Sequence, residues 1–128
     1  MKERLAVKNK MVIYNFGSPR TGNPRWTDYV MKLFPRGYFF RVTHRWDIVS
    51  HTPLAVQNFN HAGTEVWYPG RSLELTHKIC YNEPRYWENK RCTNSFFTPG
   101  QLSIKDHRIF VGIDFSAEWC SAKIFLEQ

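Results

Sequence analysis

The apolar positions in the first third of the chain predict a strand, a helix and a second strand. A short apolar and β-branched run at residues 11–16 predicts a buried strand, and the prolines and glycines of residues 17–24 predict a loop after it. Residues 38–43 are aromatic and β-branched, which predicts the second strand. Between them, residues 25–33 contain no helix breaker, and four large side chains form one apolar helical face: Trp26, Tyr29, Val30 and Leu33.

A strand, a helix and a strand in about thirty residues form a βαβ unit, which implies a parallel sheet with a right-handed crossover. Asn23 is expected to cap the helix, with Pro24 at its first position. Functional groups in such sheets lie just beyond the carboxyl end of a strand. Asp47 lies just beyond the second predicted strand.

The middle of the chain has the pattern of an antiparallel hairpin appended to the parallel strands. Two runs, residues 62–68 and 73–80, flank a turn at Pro69 and Gly70. Residues 81–100 are polar, aromatic and proline-bearing, which predicts an irregular loop. The second run alternates strictly around three side chains: Leu73, Leu75 and His77.

Length and composition allow one small globular domain. The 128 residues are 42% hydrophobic and 16% aromatic, which is enough to form a packed core. The formal net charge of +7 raises the question of a nucleic-acid or anionic-membrane partner. Beyond a basic cluster at residues 2–10 the chain has no basic run, so we expect a solvated basic surface and no specific nucleic-acid partner. No apolar run is long enough for a signal peptide or a membrane span.

Four ordered motifs resemble the C-terminal half of the fungal-type (class 3) lipases. The resemblance covers about residues 6–120 of a single predicted domain, residues 1–128. It implies an α/β fold, specifically an incomplete α/β-hydrolase fold, in a family that hydrolyses acylglycerol esters without a cofactor. The motifs are YNFGSPRTGN at residues 14–23, RVTHRWDIVSHTP at residues 41–53, HAGTEVWYP at residues 61–69, and Asp106-His107.

The resemblance implies that Asp47 orients His107, the base of a Ser-His-Asp triad. A serine hydroxyl is a poor nucleophile until an imidazole accepts its proton, and a carboxylate holds that imidazole in the required tautomer. Asp before His is the chain order of α/β-hydrolases. Taken singly, each residue has a structural role far more often than a catalytic one, Asp47 in a loop or turn and His107 as a surface or satisfied structural residue.

No serine in the chain is suited to be the nucleophile of that triad. The nucleophile must precede Asp47, and the only earlier serine is Ser18, which does not lie in a Gly-x-Ser-x-Gly elbow. The residue after a nucleophile donates its backbone N–H to the oxyanion, and Pro19 has no N–H. We therefore expect the chain by itself to be inactive.

In the resembled family the nucleophile elbow, the second oxyanion donor and the lid lie upstream of the segment matching Met11. The chain is therefore expected to be either a fragment of a longer gene product or a truncated relative. Its first strand is expected to lack a neighbour on one side, which leaves an apolar edge prone to association. The rival function is that of a non-catalytic, lipase-like binding protein. In the intact family the partner would be an acylglycerol or other lipid ester, with transient contact to a lipid interface.

Three cysteines can form at most one disulfide within the chain. The resemblance implies a local disulfide between Cys80 and Cys92, and a bond from Cys120 to a cysteine in an absent N-terminal segment. Such disulfides indicate secretion. The alternative is that Cys120 is an unpaired thiol of a cytosolic protein, because no signal peptide is present.

A metal site is not predicted. The histidines and cysteines include no Cys-x-x-Cys motif and no closely spaced histidine pair of the kind zinc sites use. His61 is expected to order the loop that enters the hairpin. Trp46 is expected to pack beside the triad loop, with a place in an acyl-binding wall as the alternative. The histidines considered are His44, His51, His61 and His77.

Overall fold

The computed structural model describes residues 11–70, 76–82, 88–95, 99–110 and 113–115. A four-stranded sheet in the order β1-β2-β3-β4 is its centre, with β1, β2 and β3 parallel and β4 antiparallel to β3. A separate two-stranded ribbon pairs β5 with β6. The strands are β1 (Ile13–Phe16), β2 (Phe39–His44), β3 (Thr64–Tyr68), β4 (Lys78–Cys80), β5 (Ile109–Phe110) and β6 (Ile113–Asp114), and the α-helices are α1 (Pro24–Leu33) and α2 (Ile104–Arg108).

The predicted βαβ unit is present, with α1 connecting the parallel strands β1 and β2. The side chain of Asn23 accepts a hydrogen bond from the backbone N–H of Trp26 at 3.0 Å, and Pro24 is the first helical residue. This N-cap satisfies one of the backbone donors that a helix start leaves free. The helix ends before Pro35, and Gly37 then adopts a φ of +92° that favours glycine.

The apolar face predicted for α1 differs from the observed one. Trp26 and Tyr29 are exposed, whereas Thr27 is the buried residue of the helix. Met31, one turn after Thr27, is half-buried and its sulfur lies 3.1 Å from the backbone N of Gly63 at the start of β3. The helix therefore turns a smaller side chain towards the sheet than its hydrophobic spacing predicts.

The predicted hairpin is present as the antiparallel pair β3 and β4. Its second strand is shorter than predicted because β4 begins at Lys78, so His77 precedes the strand and is exposed. Leu73 and Leu75 lie outside the described residues. The predicted irregular loop contains short 3-10 turns at Thr93–Ser95 and Pro99–Gln101, and Cys80 is bonded to Cys92 as expected.

One face of the sheet carries a buried ion pair. Arg41 on β2 and Glu65 on β3 are register partners, both side chains are almost fully buried, and Arg41 Nη2 lies 3.2 Å from Glu65 Oε2. Within the described residues neither this oxygen nor the guanidinium has a hydrogen-bond partner. Thr43 donates to the other carboxylate oxygen at 2.7 Å. Each charge therefore depends on the other for its compensation.

The opposite face of the sheet carries an apolar row that is partly uncovered. Phe110 of β5 packs edge-on against Phe16 and also contacts the ring of His44. Phe16 is nevertheless 64% exposed and Tyr14 is 58% exposed. Parallel sheets usually have both faces covered. The row across the four strands is Phe16, Val42, Val66 and Ile79.

Among the described residues no helix is long and apolar enough to cross a membrane.

Replacing Arg41 alone should destabilise the fold strongly. Arg41→Met leaves the Glu65 carboxylate buried and uncompensated, which typically costs about 3 to 5 kcal/mol of unfolding free energy. Replacing both partners, as in Arg41→Met with Glu65→Leu, removes the unpaired charge and should cost much less. Urea unfolding of the parent, both single variants and the double variant measures the difference. A double variant whose loss equals the sum of the two single losses would contradict the pairing.

Candidate active site

Asp47 and His107 lie in contact although 60 residues separate them in sequence. Asp47 follows β2 and its side chain is 0% exposed, whereas His107 lies on α2 with its side chain 34% exposed. His107 Nδ1 lies 3.0 Å from Asp47 Oδ2. A carboxylate oxygen accepts, so Nδ1 donates its proton and Nε2 of the neutral ring is free to accept one. The structure brings the two predicted residues together; their catalytic role stays a prediction.

The turn that follows Asp47 holds its carboxylate in place. The backbone N–H of Val49 donates to Oδ1 at 2.8 Å, and the hydroxyl of Ser50 donates to Oδ2 at 3.1 Å. Together with His107 these groups give the carboxylate three donors. Because a buried charge is tolerated only when it is paired or well hydrogen-bonded, the turn determines which way the carboxylate faces.

The helix that carries His107 is attached to the Asp47 segment. Ser103 caps α2 by accepting from the backbone N–H of Asp106 at 3.1 Å. The backbone N–H of Ser103 donates to Trp46 O at 2.8 Å, and Ile48 N–H donates to Ser103 O at 3.3 Å. These two bonds lie on either side of Asp47 along the chain, so they fix the start of α2 next to the Asp47 backbone.

Gly17 lies against the pair, and the sequence analysis did not identify it. A Cβ at this position would lie 2.8 Å from Asp47 Oδ2 and 3.0 Å from His107 Nδ1. The backbone φ of +58° also favours glycine. Gly17 therefore leaves the space in which Asp47 and His107 meet. Its signal in the sequence is a glycine directly after the carboxyl end of a parallel strand, the edge where such sheets place their sites.

Ser18 follows Gly17 but is not arranged as a nucleophile. Its hydroxyl donates to the backbone oxygen of Pro19 at 3.1 Å and not to His107. Pro19 also lacks the N–H that an oxyanion hole requires at that position.

A second polar cluster, Arg20, His61 and Glu88, lies behind the Asp47 turn. Arg20 forms a two-point ion pair with Glu88, Nε to Oε1 at 2.6 Å and Nη2 to Oε2 at 2.7 Å. His61 donates from Nε2 to Ser50 O at 2.8 Å. The sequence analysis placed only His61, as a residue ordering the hairpin entry. Arg20 and Glu88 are 68 residues apart, and no local pattern connects them.

Burial affects the two titratable members of this cluster in different ways. Burial, reinforced by the positive charge of Arg41, lowers the pKa of His61 well below its ordinary 6.5. Burial acts to raise the pKa of Glu88, but the hydrogen bonds from Arg20 and the surrounding positive charge lower it from 4.5 to about 2. At neutral pH the cluster therefore contains a neutral imidazole and an ionised carboxylate.

The remaining predicted residues have structural contacts. His44 lies within hydrogen-bond distance of Asp106 O and Gly70 O, and His51 Nδ1 donates to Asp47 O at 2.8 Å. The Trp46 ring lies 6.1 Å from that of Trp67 and packs on the cluster that includes the disulfide. Within the described residues no group of three or more histidine, cysteine and acidic side chains is arranged to hold a metal. Cys120 lies outside the described residues.

Comparison with known proteins relates the chain to lipases. The family model "Lipase (class 3)" matches residues 1–57. A lipase of Rhizomucor miehei is 34% identical over 116 residues, 88% of this chain and 29% of the relative. The secreted mono- and diacylglycerol lipase MDL5 of Malassezia globosa is 31% identical over 119 residues, 92% of this chain and 34% of the relative.

The fold comparison agrees. A solved triacylglycerol lipase, described as having a serine protease triad as its catalytic centre, has a TM-score of 0.68 and 35% sequence identity. The match covers 80% of this chain and 36% of that one. The chain thus spans about a third of the length of the relatives it matches. These findings confirm the predicted resemblance and the partial α/β-hydrolase fold.

His61 should make the fold less stable as the pH falls below neutral. The unfolded chain binds a proton at His61 near pH 6.5, whereas the folded chain does so only at a lower pH, so the unfolding free energy decreases as the pH drops through this window. Glu88 adds a second loss between about pH 4.5 and about 2. Urea unfolding from pH 8 to pH 5 measures the first effect.

His61→Gln provides the control for this pH dependence. Glutamine retains a side-chain N–H for Ser50 O but does not titrate, so the decline in stability between pH 6.5 and pH 5 should be smaller than in the parent. Stabilities compared at pH 8 correct for any packing change. An identical pH slope in both proteins would show that His61 is not the group responsible.

Proposed function

The chain is a class 3 lipase-like protein of the α/β-hydrolase superfamily, and from this premise we propose that Asp47 and His107 are the acid and base of a triad that hydrolyses lipid carboxylic esters. The observation that carries the proposal is the 3.0 Å contact between His107 Nδ1 and Asp47 Oδ2. It orients the imidazole so that Nε2 is the free, basic nitrogen. The partial exposure of His107 gives that nitrogen access to a reacting group.

In the proposed reaction His107 moves one proton in each of two half-reactions. Nε2 accepts the proton of a serine hydroxyl while the serine oxygen bonds to the ester carbonyl carbon, and then gives that proton to the departing alcohol. Water repeats the sequence on the acyl-enzyme, releasing the fatty acid and restoring the serine. Asp47 remains ionised and stabilises the imidazolium formed in each half-reaction.

The nucleophile of this reaction comes from outside these 128 residues. Ser18 is followed by a proline and its hydroxyl faces its own loop. Loss of a single oxyanion donor costs about 2.7 to 4 kcal/mol of transition-state stabilisation, so a serine at this position would be a poor catalyst. The 128-residue chain by itself is therefore inactive.

The substrate of the proposed reaction is an acylglycerol. One relative is named a secreted mono- and diacylglycerol lipase, and a solved neighbour is a triacylglycerol lipase. Secretion also accords with the disulfide between Cys80 and Cys92.

A non-catalytic binding function is the second candidate. It is favoured by the exposed side chains of Tyr14 and Phe16 on the sheet face opposite Arg41. Apolar surface of this kind is typical of contact sites for proteins or lipids. The two candidates differ in one respect that can be measured, which is whether Asp47 and His107 support ester hydrolysis when a nucleophile is supplied.

Fluorophosphonate labelling should give no adduct with the 128-residue chain. The reagent bonds to activated serines, and Ser18 lacks both an oriented base and an oxyanion donor. Mass spectrometry of the purified chain, with a serine lipase labelled in parallel, measures the outcome. An adduct at Ser18 that is lost in Ser18→Ala would overturn the assignment of the nucleophile to another segment.

A chimera tests the roles of Asp47 and His107 directly. Replacing the matching region of the Rhizomucor miehei lipase with this chain should give an enzyme that hydrolyses an acylglycerol. In the chimera Asp47→Asn should lower kcat by about 10⁴-fold, because the neutral amide favours the wrong tautomer of His107. His77→Gln, an exposed substitution before β4, is the matched control and should retain activity. Full activity of the Asp47→Asn chimera would disprove the proposed triad.

A further inference from the structure

Four consecutive backbone carbonyls, those of residues 50–53, are held by only two residues. His61 Nε2 donates to the first at 2.8 Å. Arg20 holds the other three: Nη1 donates to His51 O at 2.6 Å and to Pro53 O at 2.9 Å, and its backbone N–H donates to Thr52 O at 2.8 Å. This turn is therefore anchored from outside at every residue.

Both anchoring residues are in turn held by one carboxylate. Glu88 accepts two hydrogen bonds from the Arg20 guanidinium, at 2.6 and 2.7 Å, and one from the backbone N–H of His61 at 3.2 Å. Asn94 donates a fourth hydrogen bond to it. The Arg20 side chain is 4% exposed and that of Glu88 is 10% exposed. Water is thus largely excluded from the ion pair, and these four hydrogen bonds fix the orientation of the Glu88 carboxylate.

The anchored turn is the one that orients the triad carboxylate. Its first residue, Ser50, donates its hydroxyl to Asp47, and Val49 directly before it donates its backbone N–H. A shift of the turn would rotate the carboxylate away from His107 Nδ1. Within the described part of the chain Glu88 has no hydrogen bond to Asp47 or His107, so its effect on them passes through Arg20 and His61.

The disulfide fixes the position of Glu88 relative to the sheet. Glu88 lies in the loop between Cys80, which belongs to β4, and Cys92. Asn94 follows shortly after Cys92 and donates to Glu88. The chain on the C-terminal side of Glu88 is thus bonded to β4 through the disulfide, and Asn94 on the same side donates to Glu88 itself.

We propose that Glu88 is a positioning residue for the Asp47–His107 pair, acting through Arg20 and His61. The inference rests on the proposed function for its catalytic meaning. It goes beyond that function by assigning a role to the disulfide loop, which contributes no group to the triad. A buried ion pair is in general a weak source of stability, so a requirement for fixed geometry is the better reason for placing charges here.

The proton on His107 Nδ1 reports this geometry in the full chain. A histidine N–H bonded to a carboxylate gives a downfield proton NMR resonance that exchanges slowly with water, and its loss in His107→Ala assigns the signal. Glu88→Ala should broaden the resonance or increase its exchange rate at least about tenfold, because the turn no longer holds Asp47. Glu88→Gln keeps the size and one acceptor and should give an intermediate rate.

Thr43→Val is the matched control. It removes a buried hydrogen bond to Glu65 on the sheet without touching the turn, so it should lower stability while the His107 resonance stays unchanged. If Glu88→Ala does not fold, the comparison is made between Glu88→Gln and Thr43→Val. A resonance unaffected by Glu88 substitution would overturn the positioning role.

The NMR experiment distinguishes a failure of the Asp47–His107 pair from a failure of the positioning role of Glu88. Absence of the resonance in the parent chain, or its persistence in Asp47→Asn, would contradict the Asp47–His107 pair and with it the proposed function. A resonance that depends on Asp47 but not on Glu88 would contradict only the further inference.

Discussion

The carboxylate of Asp47 is the constraint around which the described part of the chain is arranged. It is fully buried, so its charge is tolerated only because donors hydrogen-bond to its oxygens. Its donors come from the turn that follows it and from α2, and Gly17 at the end of β1 leaves the space in which they meet. The pairing of β1 with β2 and the backbone bonds from Ser103 to Trp46 and Ile48 bring these three segments, which are distant in sequence, to one point.

The polar groups beneath this site are layered, and each layer has a different physical character. Closest to Asp47 are neutral donors, a backbone N–H and a hydroxyl, which fix direction without adding charge. Behind them lies the ion pair of Arg20 and Glu88, largely shielded from water. Low polarity strengthens each hydrogen bond and also penalises every unpaired group, so such a network is rigid only when it is complete. Burial would raise the pKa of Glu88, and the hydrogen bonds from Arg20 with the surrounding positive charge lower it instead.

Local sequence signals predicted the elements, and long-range contacts were predicted only through the family resemblance. The cap at Asn23, the βαβ order and the hairpin follow from residues within one element, and all are present. Of the apolar face predicted for α1, Trp26 and Tyr29 are exposed, whereas Val30 and Leu33 are half-buried. The hydrophobic pattern of a helix contains no information on the surface against which it packs. The Arg20–Glu88 pair joins two irregular loops, for which neither period nor capping chemistry applies. His107 and Asp47 were identified from ordered motifs, since a lone histidine on a short helix has no distinguishing local pattern.

The edge of the described sheet at β1 lies next to the candidate site. Parallel strands deliver their functional groups at their carboxyl ends, so under the proposed function a strand that supplied the nucleophile would fit beside β1, which ends the described sheet order. On β1 itself, Tyr14 and Phe16 are exposed, and Phe110 covers only part of the sheet face to which they belong. Gly17 then ends the strand without a side chain between that edge and the Asp47–His107 pair. A parallel strand added to the edge of β1 would therefore bring its carboxyl end next to the Asp47–His107 pair, so that extension of the sheet and completion of the proposed site depend on one contact.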